Sequence, residues 1–412
     1  MTHVKLYKKL AFTAYVISVQ IVAADGFRNP PDTAAALGKA GNHMVWVDDA
    51  SALFYNPANL IDVPSREVQL SALVGYAHAE YHGLLGRTET ERAWSALPAI
   101  ALAWPLQEAD KETDWALGLG IHVPYGRQTQ WDSTGSFRYA APIYSQMMVA
   151  DVSPSLAWRI TDSVSIGAGP DVYYGRLRFR QLAPYSPRSR ITAEMDGYAV
   201  GGNVGVTWRL TPNQRLSLTY RSPFDLAFKG DMETVDIPPP AVAESDIETT
   251  FRFPTIVALG YGIKFSETFR IEAKVEWLEF SRYKTMAVDA GANNPLIGMI
   301  GLANTPQNWN DTWTFGIGPE WRFAPEWTLR TGYLYLQSPI PDSTFAPTGL
   351  DVDQSAVGVG LGYQSGNHAV DLAYALGIFN KRHVHANQNP YYENGTYAFD
   401  GHLAALSYTY SF

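Results

Sequence analysis

The 412-residue sequence contains no cysteine, which excludes disulfide bonds and thiolate metal sites. Its formal net charge is −9 and the body of the chain has no basic cluster, so nucleic acid is not an expected partner. The G-x-S-x-G, H-E-x-x-H and G-x-x-x-x-G-K-[ST] motifs are also missing. We therefore expect neither an enzyme nor a protein that holds a cofactor or a metal ion.

Long apolar stretches are scarce as well. After the first two dozen residues no run of about 18 apolar residues exists, so the sequence predicts no membrane-spanning helix. Residues 1–24 have the three parts of a cleaved signal peptide: lysines at positions 5, 8 and 9, an apolar run over 10–22, and small residues ending at Ala24. A membrane anchor is the alternative, but the run is short for one. Cleavage after Ala24 would change the formal charge from −9 to −12, because three lysines and no acidic residue are removed.

From about Val68 onward, apolar and polar residues alternate, which is the pattern of β-strands. Over 313–323, aromatic and aliphatic residues occupy the odd positions, and small or charged residues occupy the even ones. The predicted strands are about ten or more residues long, as tilted strands that cross a bilayer must be. Many apolar faces end in an aromatic residue, which suits the interfacial girdle of a membrane barrel. These aromatic residues are Trp104, Trp158, Trp208, Trp277, Trp321 and Tyr408.

The connections between the predicted strands alternate in length. Six short polar turns lie near residues 110, 162, 212, 266, 325 and 366, and seven longer connections are centred near residues 86, 135, 185, 239, 294, 342 and 388. An even number of strands with short turns at one end and long loops at the other is typical of outer-membrane barrels. The sequence thus predicts an all-β fold, in which residues 67–412 form a 14-stranded antiparallel transmembrane β-barrel in the cell outer membrane.

One stretch, residues 37–60, reads instead as compact helix and turn. Asp48 and Asp49 precede a short helix as an acidic cap, and Asn56 with Pro57 ends it, because proline cannot continue the hydrogen-bonded turn. A segment this short cannot bury its own apolar residues. We therefore expect residues 25–66 to lie inside the barrel.

Three groups of residues identify a family. They are Gly26-Phe27 near the mature N-terminus, Asp48-Asp49-Ala50-Ser51-Ala52 followed by Asn56-Pro57-Ala58, and Pro124-Tyr125-Gly126 in the third strand. With the fourteen predicted strands, they make the chain resemble the FadL/TodX (OMPP1) family of outer-membrane transporters of long-chain fatty acids and hydrocarbons.

The resemblance implies a mechanism as well as a fold. Residues 25–66 would form a helical hatch that plugs the lumen, with Asp48, Asp49, Asn56, Pro57 and Ala58 among its residues. Ligand would be captured among the extracellular loops, the hatch would shift, and ligand would leave sideways through a kink in the third strand. The lateral gate would then be Pro124, Tyr125 and Gly126. A proline in mid-strand removes one ladder hydrogen bond, and a glycine two residues on favours a bulge.

Two sets of residues are candidates for contacting the ligand. The connection over 284–308 is apolar and longer than expected for the family, whereas the loop over 184–190 is short, so the longer one is predicted to take over capture through Leu296, Ile297 and Ile300. Arg176, Arg178 and Arg180 share one face of the fifth strand and could bind a carboxylate. The alternative is that these arginines pair with lumen carboxylates or with lipopolysaccharide phosphates.

Two further charge patterns have simpler readings. Arg270, Glu272, Lys274 and Glu276 alternate on one face of a strand and are expected to pair with one another in the lumen. His383 and His385 have the spacing of two metal ligands, but no third ligand lies nearby in sequence.

Three functions remain open at this point: transport of a hydrophobic small molecule, an outer-membrane enzyme acting on lipid, and a porin or adhesin without a specific apolar ligand. A plug of more than 30 residues argues against an open porin. We expect a monomer whose partners are a hydrophobic ligand, outer-membrane lipid and lipopolysaccharide. The sequence does not distinguish a fatty acid from an alkane or an aromatic compound.

Overall fold

The computed structural model describes residues 25–91, 93–106, 114–291, 294, 296–299, 303–388 and 394–412. The predicted signal peptide, the turn near residue 110 and Ile300 lie outside these residues. Within them, no helix is both long and apolar enough to cross a membrane.

Fourteen long strands form one sheet. They are β1 (Glu67–Gly83), β2 (Ala93–Pro105), β3 (Trp115–Gln130), β4 (Tyr144–Thr161), β5 (Val164–Leu182), β6 (Arg190–Thr211), β7 (Gln214–Arg221 and Phe224–Val235), β8 (Glu244–Phe253 and Ile256–Ser266), β9 (Phe269–Leu278), β10 (Thr312–Ala324), β11 (Trp327–Leu336), β12 (Gln354–Ser365), β13 (His368–Phe379) and β14 (Gly395–Ser411). Strands β7 and β8 each consist of two segments, and a proline lies in each break, at Pro223 and Pro254.

The sheet closes on itself, because β1 pairs antiparallel with β14 from Glu67↔Ser411 to Gly83↔Gly395. Each strand also pairs antiparallel with the next strand along the chain. The prediction of a 14-stranded antiparallel barrel is therefore confirmed. The five short turns that the structure describes fall where the sequence placed them.

The long connections lie at the other end of the barrel and contain short elements of their own. These are four strands (Gly86–Glu89, Thr285–Asp289, Asn304–Pro306 and Arg382–Val384), two 3-10 helices (Phe280–Arg282 and Asp342–Thr344) and the helix Leu296–Met299. By the usual orientation of such barrels, this is the extracellular end.

The alternation in sequence becomes two faces of the wall. On β10, Trp313, Phe315 and Ile317 point outward and are 45–47% exposed, whereas the intervening Thr314 is fully buried. Outward apolar side chains suit hydrocarbon, and the inward small and polar side chains face the N-terminal residues.

The N-terminal segment, defined here as residues 25–66, packs against the inward faces of the strands. It contains helix α1 (Ala34–Gly38), helix α2 (Ala52–Tyr55) and a 3-10 helix (Pro57–Asp62). Val45, Trp46 and Leu60 are at most 2% exposed although their own segment is too short to cover them. The barrel wall supplies the missing apolar partners, since Leu53 and Leu60 share a cluster with inward alanines of β2, β3 and β4.

Glycines in the wall allow the backbone of the N-terminal segment to approach closely. A Cβ at Gly332 would lie 2.1 Å from the carbonyl oxygen of Lys39, and one at Gly358 would lie 2.3 Å from that of Leu37. A Cβ at Gly167 would lie 2.3 Å from the carbonyl carbon of Pro57. These contacts are with backbone, which cannot move aside as a flexible side chain can.

Alanine at Gly332 or Gly358 is therefore expected to push the N-terminal segment off the wall, at a cost of roughly 1–3 kcal/mol for each overpacked site. Proteolysis of residues 25–66 in the purified protein should become faster. The barrel itself should remain intact and should still migrate faster in a denaturing gel before boiling than after.

Gly202→Ala is the matched control, because a Cβ there would meet nothing closer than the carbonyl oxygen of Gly169 at 3.4 Å. Equal protease resistance in all three variants would show that the close approach does not hold the segment in place.

Candidate functional site

Two cavities lined by described residues lie inside the barrel, and the first residues of the N-terminal segment contribute to both. The outer cavity, of about 160 Å³, lies under the long connections and is mostly apolar. Its described lining includes Phe27, Met147, Leu177, Phe179, Met195, Phe251, Tyr283, Met286, Val288, Ile297, Trp309 and Ile340. The inner cavity, of about 210 Å³, lies between the N-terminal segment and the wall, and Arg28, Asn29, Asp32, His122, Pro124 and Tyr125 are among its lining residues.

Phe27 is the floor of the outer cavity. Its ring lies 4.6 Å from the ring of Trp309, 5.3 Å from that of Phe253 and 5.4 Å from that of Tyr283, measured between centroids. Arg28, the next residue, lines the inner cavity instead. The backbone at residues 27–28 therefore separates the two cavities.

The ladder between β2 and β3 is interrupted above Ile121. Regular pairing of these two strands ends at Ile100↔Ile121. Beyond this point, a backbone hydrogen bond between described residues joins the two sides again only near the outer end of β3, where the nitrogen of Glu91 donates to the carbonyl of Gln130 at 2.8 Å. On its other side, β3 shifts register against β4 between His122 and Tyr125, which is a bulge at Val123 and Pro124. The wall thus has a gap beside the predicted kink.

Backbone from the N-terminal segment occupies the free edge of β3. The nitrogen of Asn29 donates to the carbonyl of Pro124 at 2.9 Å, and the nitrogen of Gly126 donates to the carbonyl of Phe27 at 2.8 Å. The amide side chain of Asn29 adds a bond to the carbonyl of Val123 at 2.7 Å. Phe27 therefore joins the aromatic floor of the outer cavity to the strand edge at the gap.

Charged side chains of β9 fix the N-terminal segment to the opposite wall. Glu272 accepts from the ammonium of Lys39 and from the backbone nitrogens of Met44 and Val45 at 2.9 and 2.7 Å. Lys39 and Glu272 are both nearly fully buried, so removing either charge would leave the other unpaired at a cost of roughly 3–5 kcal/mol.

The expectation that the charges of β9 pair mainly with one another is wrong. Arg270 pairs with Asp48 at 3.0 Å, and Glu276 pairs with Arg28 at 2.9 Å. Within the set, Lys274 lies 3.2 Å from Glu276. Successive inward positions of a strand are about 6.6 Å apart, and most of these side chains pair instead with the N-terminal segment or, as Arg270 does with Glu320 at 2.6 Å, with the neighbouring strand.

The matches to known proteins extend over the whole barrel. The family model described as "Outer membrane protein transport protein (OMPP1/FadL/TodX)" matches residues 14–412. The chain belongs to this family. A long-chain fatty acid transport protein of Salmonella typhi is 22% identical over 422 residues, covering 93% of each chain.

Solved structures of FadL/TodX-family barrels share the fold. A FadL homologue of Pseudomonas aeruginosa superposes with a TM-score of 0.82 at 21% identity, covering 94% of this chain and all of the other. The toluene transporter TodX of Pseudomonas putida gives 0.73 at 18% identity, covering 94% of this chain and 99% of the other. The protein is thus an outer-membrane transport barrel, and its family consists of transport channels rather than enzymes.

The hatch residues predicted from the family pattern differ in burial, since Asn56, Pro57 and Ala58 are buried, whereas Asp49 is half-buried and Asp48 is exposed. Asn56 accepts from the nitrogen of Ala58 at 3.2 Å and donates to the hydroxyl of Thr207 at 2.8 Å, which joins the start of the 3-10 helix to β6. Asp49 accepts from the nitrogen of Ser51 at 2.8 Å, just before α2. The expectation that Asp48 caps this helix is wrong, because its carboxylate pairs with Arg270 of β9 instead.

The structure separates the two sets of ligand candidates. Ile297 lines the outer cavity, and Leu296 is buried in the same aromatic and aliphatic cluster. Arg176, Arg178 and Arg180 instead share the outward face of β5, opposite the buried Tyr173 and Leu177. Arg176 and Arg178 lie 3.1 and 3.2 Å from Glu194 on the neighbouring strand. These arginines therefore do not join either cavity.

A buried polar network behind the kink was not indicated by any sequence pattern. His122 of β3 lies 3.1 Å from Asp32 of the N-terminal segment and 3.2 Å from Asp151 of β4. Arg221 lies 3.3 Å from the same Asp151. The one feature of the sequence that could have drawn attention to His122 is that it lies two residues before the proline of the kink.

Asp351, in the connection between β11 and β12, holds the start of the N-terminal segment. Its carboxylate accepts from the nitrogen of Gly26 at 2.8 Å and lies 3.6 Å from Arg127. Burial raises the pKa of Asp351 to about 7, although Arg127, Arg382 and the bond from Gly26 act in the opposite direction. Burial also raises the pKa of Asp25, against the neighbouring charge of Arg28.

The pKa of Asp351 predicts how docking of residues 25–29 depends on pH. When the segment is released and the carboxyl group is solvated, its pKa should return to about 4. The docked state then binds the proton more strongly, so docking is most favourable below about pH 4. It should weaken by up to about tenfold per unit as pH rises toward 7, and level off above 7.

Hydrogen exchange of residues 26–29, corrected for the intrinsic dependence on pH, measures this release. We expect exchange in the wild type to increase between pH 5 and 7, and the Asp351→Asn variant to keep the slow exchange of low pH throughout. Parallel profiles for the two proteins would contradict the assignment to Asp351.

Proposed function

We propose that this barrel takes up hydrophobic small molecules by capturing them in the outer cavity and releasing them sideways through the gap between β2 and β3. The observation that supports this route is the position of Phe27. Its ring belongs to the floor of the outer cavity, and its carbonyl group accepts the hydrogen bond from Gly126 at the gap. An apolar molecule that displaces the ring therefore also releases the strand edge.

The energetics favour lateral release over passage into water. An apolar ligand gains by leaving water and would lose that gain on entering the periplasm. The N-terminal segment blocks the straight path, whereas the gap beside Pro124 and Gly126 leads toward the bilayer. Binding must favour the displaced position of residues 27–29 over the docked one, because a ligand shifts an equilibrium only by its differential affinity.

The outer cavity suits a long apolar chain that ends in a carboxylate. Arg127 is the only charged side chain among the described residues that line this cavity. Its guanidinium lies 5.9 Å from the ring centroids of both Phe27 and Trp309, so an acid group bound there would leave its chain against aromatic surface. The fatty-acid transport named for the Salmonella relative agrees with this substrate class. TodX, named for toluene, makes a hydrocarbon the second candidate.

A reversible cross-link tests the gate. A Cβ at Gly126 would lie 3.0 Å from the side-chain nitrogen Nδ2 of Asn29, so side chains at positions 29 and 126 meet, and cysteines at these positions are the pair chosen for cross-linking. The natural chain has no cysteine to interfere. In the Asn29→Cys/Gly126→Cys protein, oxidation should reduce uptake of a radiolabelled long-chain fatty acid at least tenfold, and reductant should restore it.

The Asn29→Cys single variant is the control, and its uptake should not respond to oxidant. Binding of the fatty acid to the purified oxidised protein should persist. If the cross-linked barrel transports at the rate of the reduced one, ligand leaves by another path.

The capture step has its own test. Ile297→Ser removes apolar surface from the outer cavity and places a hydroxyl there, which should weaken fatty-acid binding by roughly 1–2 kcal/mol, or about five- to thirtyfold. Binding is measured with the purified protein in detergent.

Leu84→Ser is the matched control, because Leu84 is 91% exposed at the tip of another extracellular loop and does not line the outer cavity. Equal affinity in the two variants would show that ligand is not captured beside Ile297.

A further inference from the structure

A histidine and two glutamates meet at the extracellular end of β1, outside the lumen. His78 and Glu80 stand on the outward face of β1, and Glu89 comes from the short strand Gly86–Glu89 that folds back onto β1. One ligand atom from each of these three residues lies within 4.8 Å of the other two. This is the only group of three such side chains with that spacing within the described parts of the chain.

The two glutamates are direct cross-strand partners. The register pairs Glu80 with Glu89, and like charges placed directly opposite destabilise a strand pair. Arg87 offsets part of this repulsion, since its guanidinium lies 3.2 Å from Glu80. Asp400 stands opposite His78 on β14 and adds another carboxylate to the region. The cluster therefore retains an excess of negative charge that a cation would relieve.

The imidazole of His78 is buried and aimed at these carboxylates. The residue is 8% exposed, and its Nε2 has no hydrogen-bond partner in the part of the chain that the structure describes. Its Nδ1 lies 3.4 Å from the hydroxyl of Thr90. The Thr90 hydroxyl donates to the carbonyl of Ala79, so its oxygen can accept a hydrogen bond from Nδ1–H. With the proton on Nδ1, Nε2 keeps a lone pair directed at the cluster, which is how metal-ligating histidines are usually held.

The distances fit a shared ion better than direct hydrogen bonds. His78 Nε2 lies 3.8 Å from an oxygen of Glu80 and 3.6 Å from one of Glu89, which is too long for a hydrogen bond. Two ligands bound tetrahedrally to zinc at about 2.1 Å lie about 3.4 Å apart. The other oxygen of Glu80 lies 3.7 Å from Nε2 of His82, so a second imidazole stands beside the site.

We propose that His78, Glu80 and Glu89 bind a divalent transition-metal ion, with Zn²⁺ the best match to one imidazole and two carboxylates. The site is separate from the transport route, because its side chains lie on the outward face of the wall. It departs from the expectation that the chain holds no metal. It also differs from the pair that sequence spacing suggested, His383 and His385, whose rings stack 6.2 Å apart.

Titration of the purified full-length protein with ZnCl₂ tests the site, with Ca²⁺ and Mg²⁺ as comparison ions. The wild type should bind one Zn²⁺ that is lost or weakened at least tenfold in His78→Gln and in Glu89→Gln, since even residues that only support a ligand are worth 10–100-fold. The side chain of Glu89 is half-exposed, so its substitution should not impair folding. Retention of the heat-modifiable gel mobility checks this for both variants.

His368→Gln is the matched control, because His368 begins β13 at the opposite end of the barrel. It should leave zinc affinity unchanged. Three results would overturn the proposal: no stoichiometric zinc in the wild type, equal loss in His368→Gln, or binding of Ca²⁺ as tight as that of Zn²⁺ and insensitive to His78→Gln. X-ray anomalous scattering from zinc between His78 and Glu89 would locate the ion directly.

Discussion

Backbone amides and carbonyls at membrane depth must have partners, because no water is available there to replace a lost hydrogen bond. Thirteen ladders between consecutive strands and the seam between β1 and β14 meet this requirement around the wall. At the kink in β3 this requirement is not met by the wall alone, because the pairing of β3 with β2 ends at Ile121. The backbone of residues 27–29 supplies the missing partners from inside the lumen. In the proposed uptake route, release of this segment from the edge of β3 is what would open the side of an otherwise closed barrel.

The proposed route requires the same segment to be held strongly enough to close the lumen and weakly enough to move when ligand binds. Its middle part is fixed by buried charges, with Glu272 accepting three hydrogen bonds from Lys39, Met44 and Val45. Its start at residues 25–29 depends on a few backbone bonds, one aromatic ring and Asp351. A small local displacement at the start would therefore leave the rest of the segment in place. The proposed ligand-dependent opening would then require far less energy than expulsion of the whole segment.

Much of the fold follows from local patterns in the sequence. Alternation with period two and turn residues at regular intervals were enough to predict fourteen strands and which face meets lipid, because both are local properties of a strand. Pro124 and Gly126 also lie where the ladder shifts register. Contacts across the lumen could not be predicted, since they join residues such as Lys39 and Glu272 that are 233 positions apart. The alternation of β9 shows that its charges face inward but does not show what they meet.

The candidate site residues also divide into those that local sequence patterns could predict and those that depend on contacts between distant parts of the chain. Ile297 could be recognised because an apolar loop needs a place to pack, whereas the outward direction of Arg176 depends on the register of β5 within the closed wall. The cluster at His78 was missed because it forms only when the strand at 86–89 folds back onto β1, and a shift of one residue would turn Glu89 to the other face.

The position of the N-terminal segment in the chain has a consequence for biogenesis. These residues are synthesised before the wall, yet they bind wall residues made much later: the nitrogen of Ala34 donates to the hydroxyl of Ser407, 373 positions away. The contacts of the segment with the C-terminal strands can therefore form only when nearly the whole wall has been made. Contacts between residues so far apart in sequence form slowly, and the apolar residues of the segment are prone to aggregation while they remain exposed. Since β1 pairs with β14, the seam also forms only after β14 has been made, and periplasmic chaperones would have to shield the apolar residues of the segment until then.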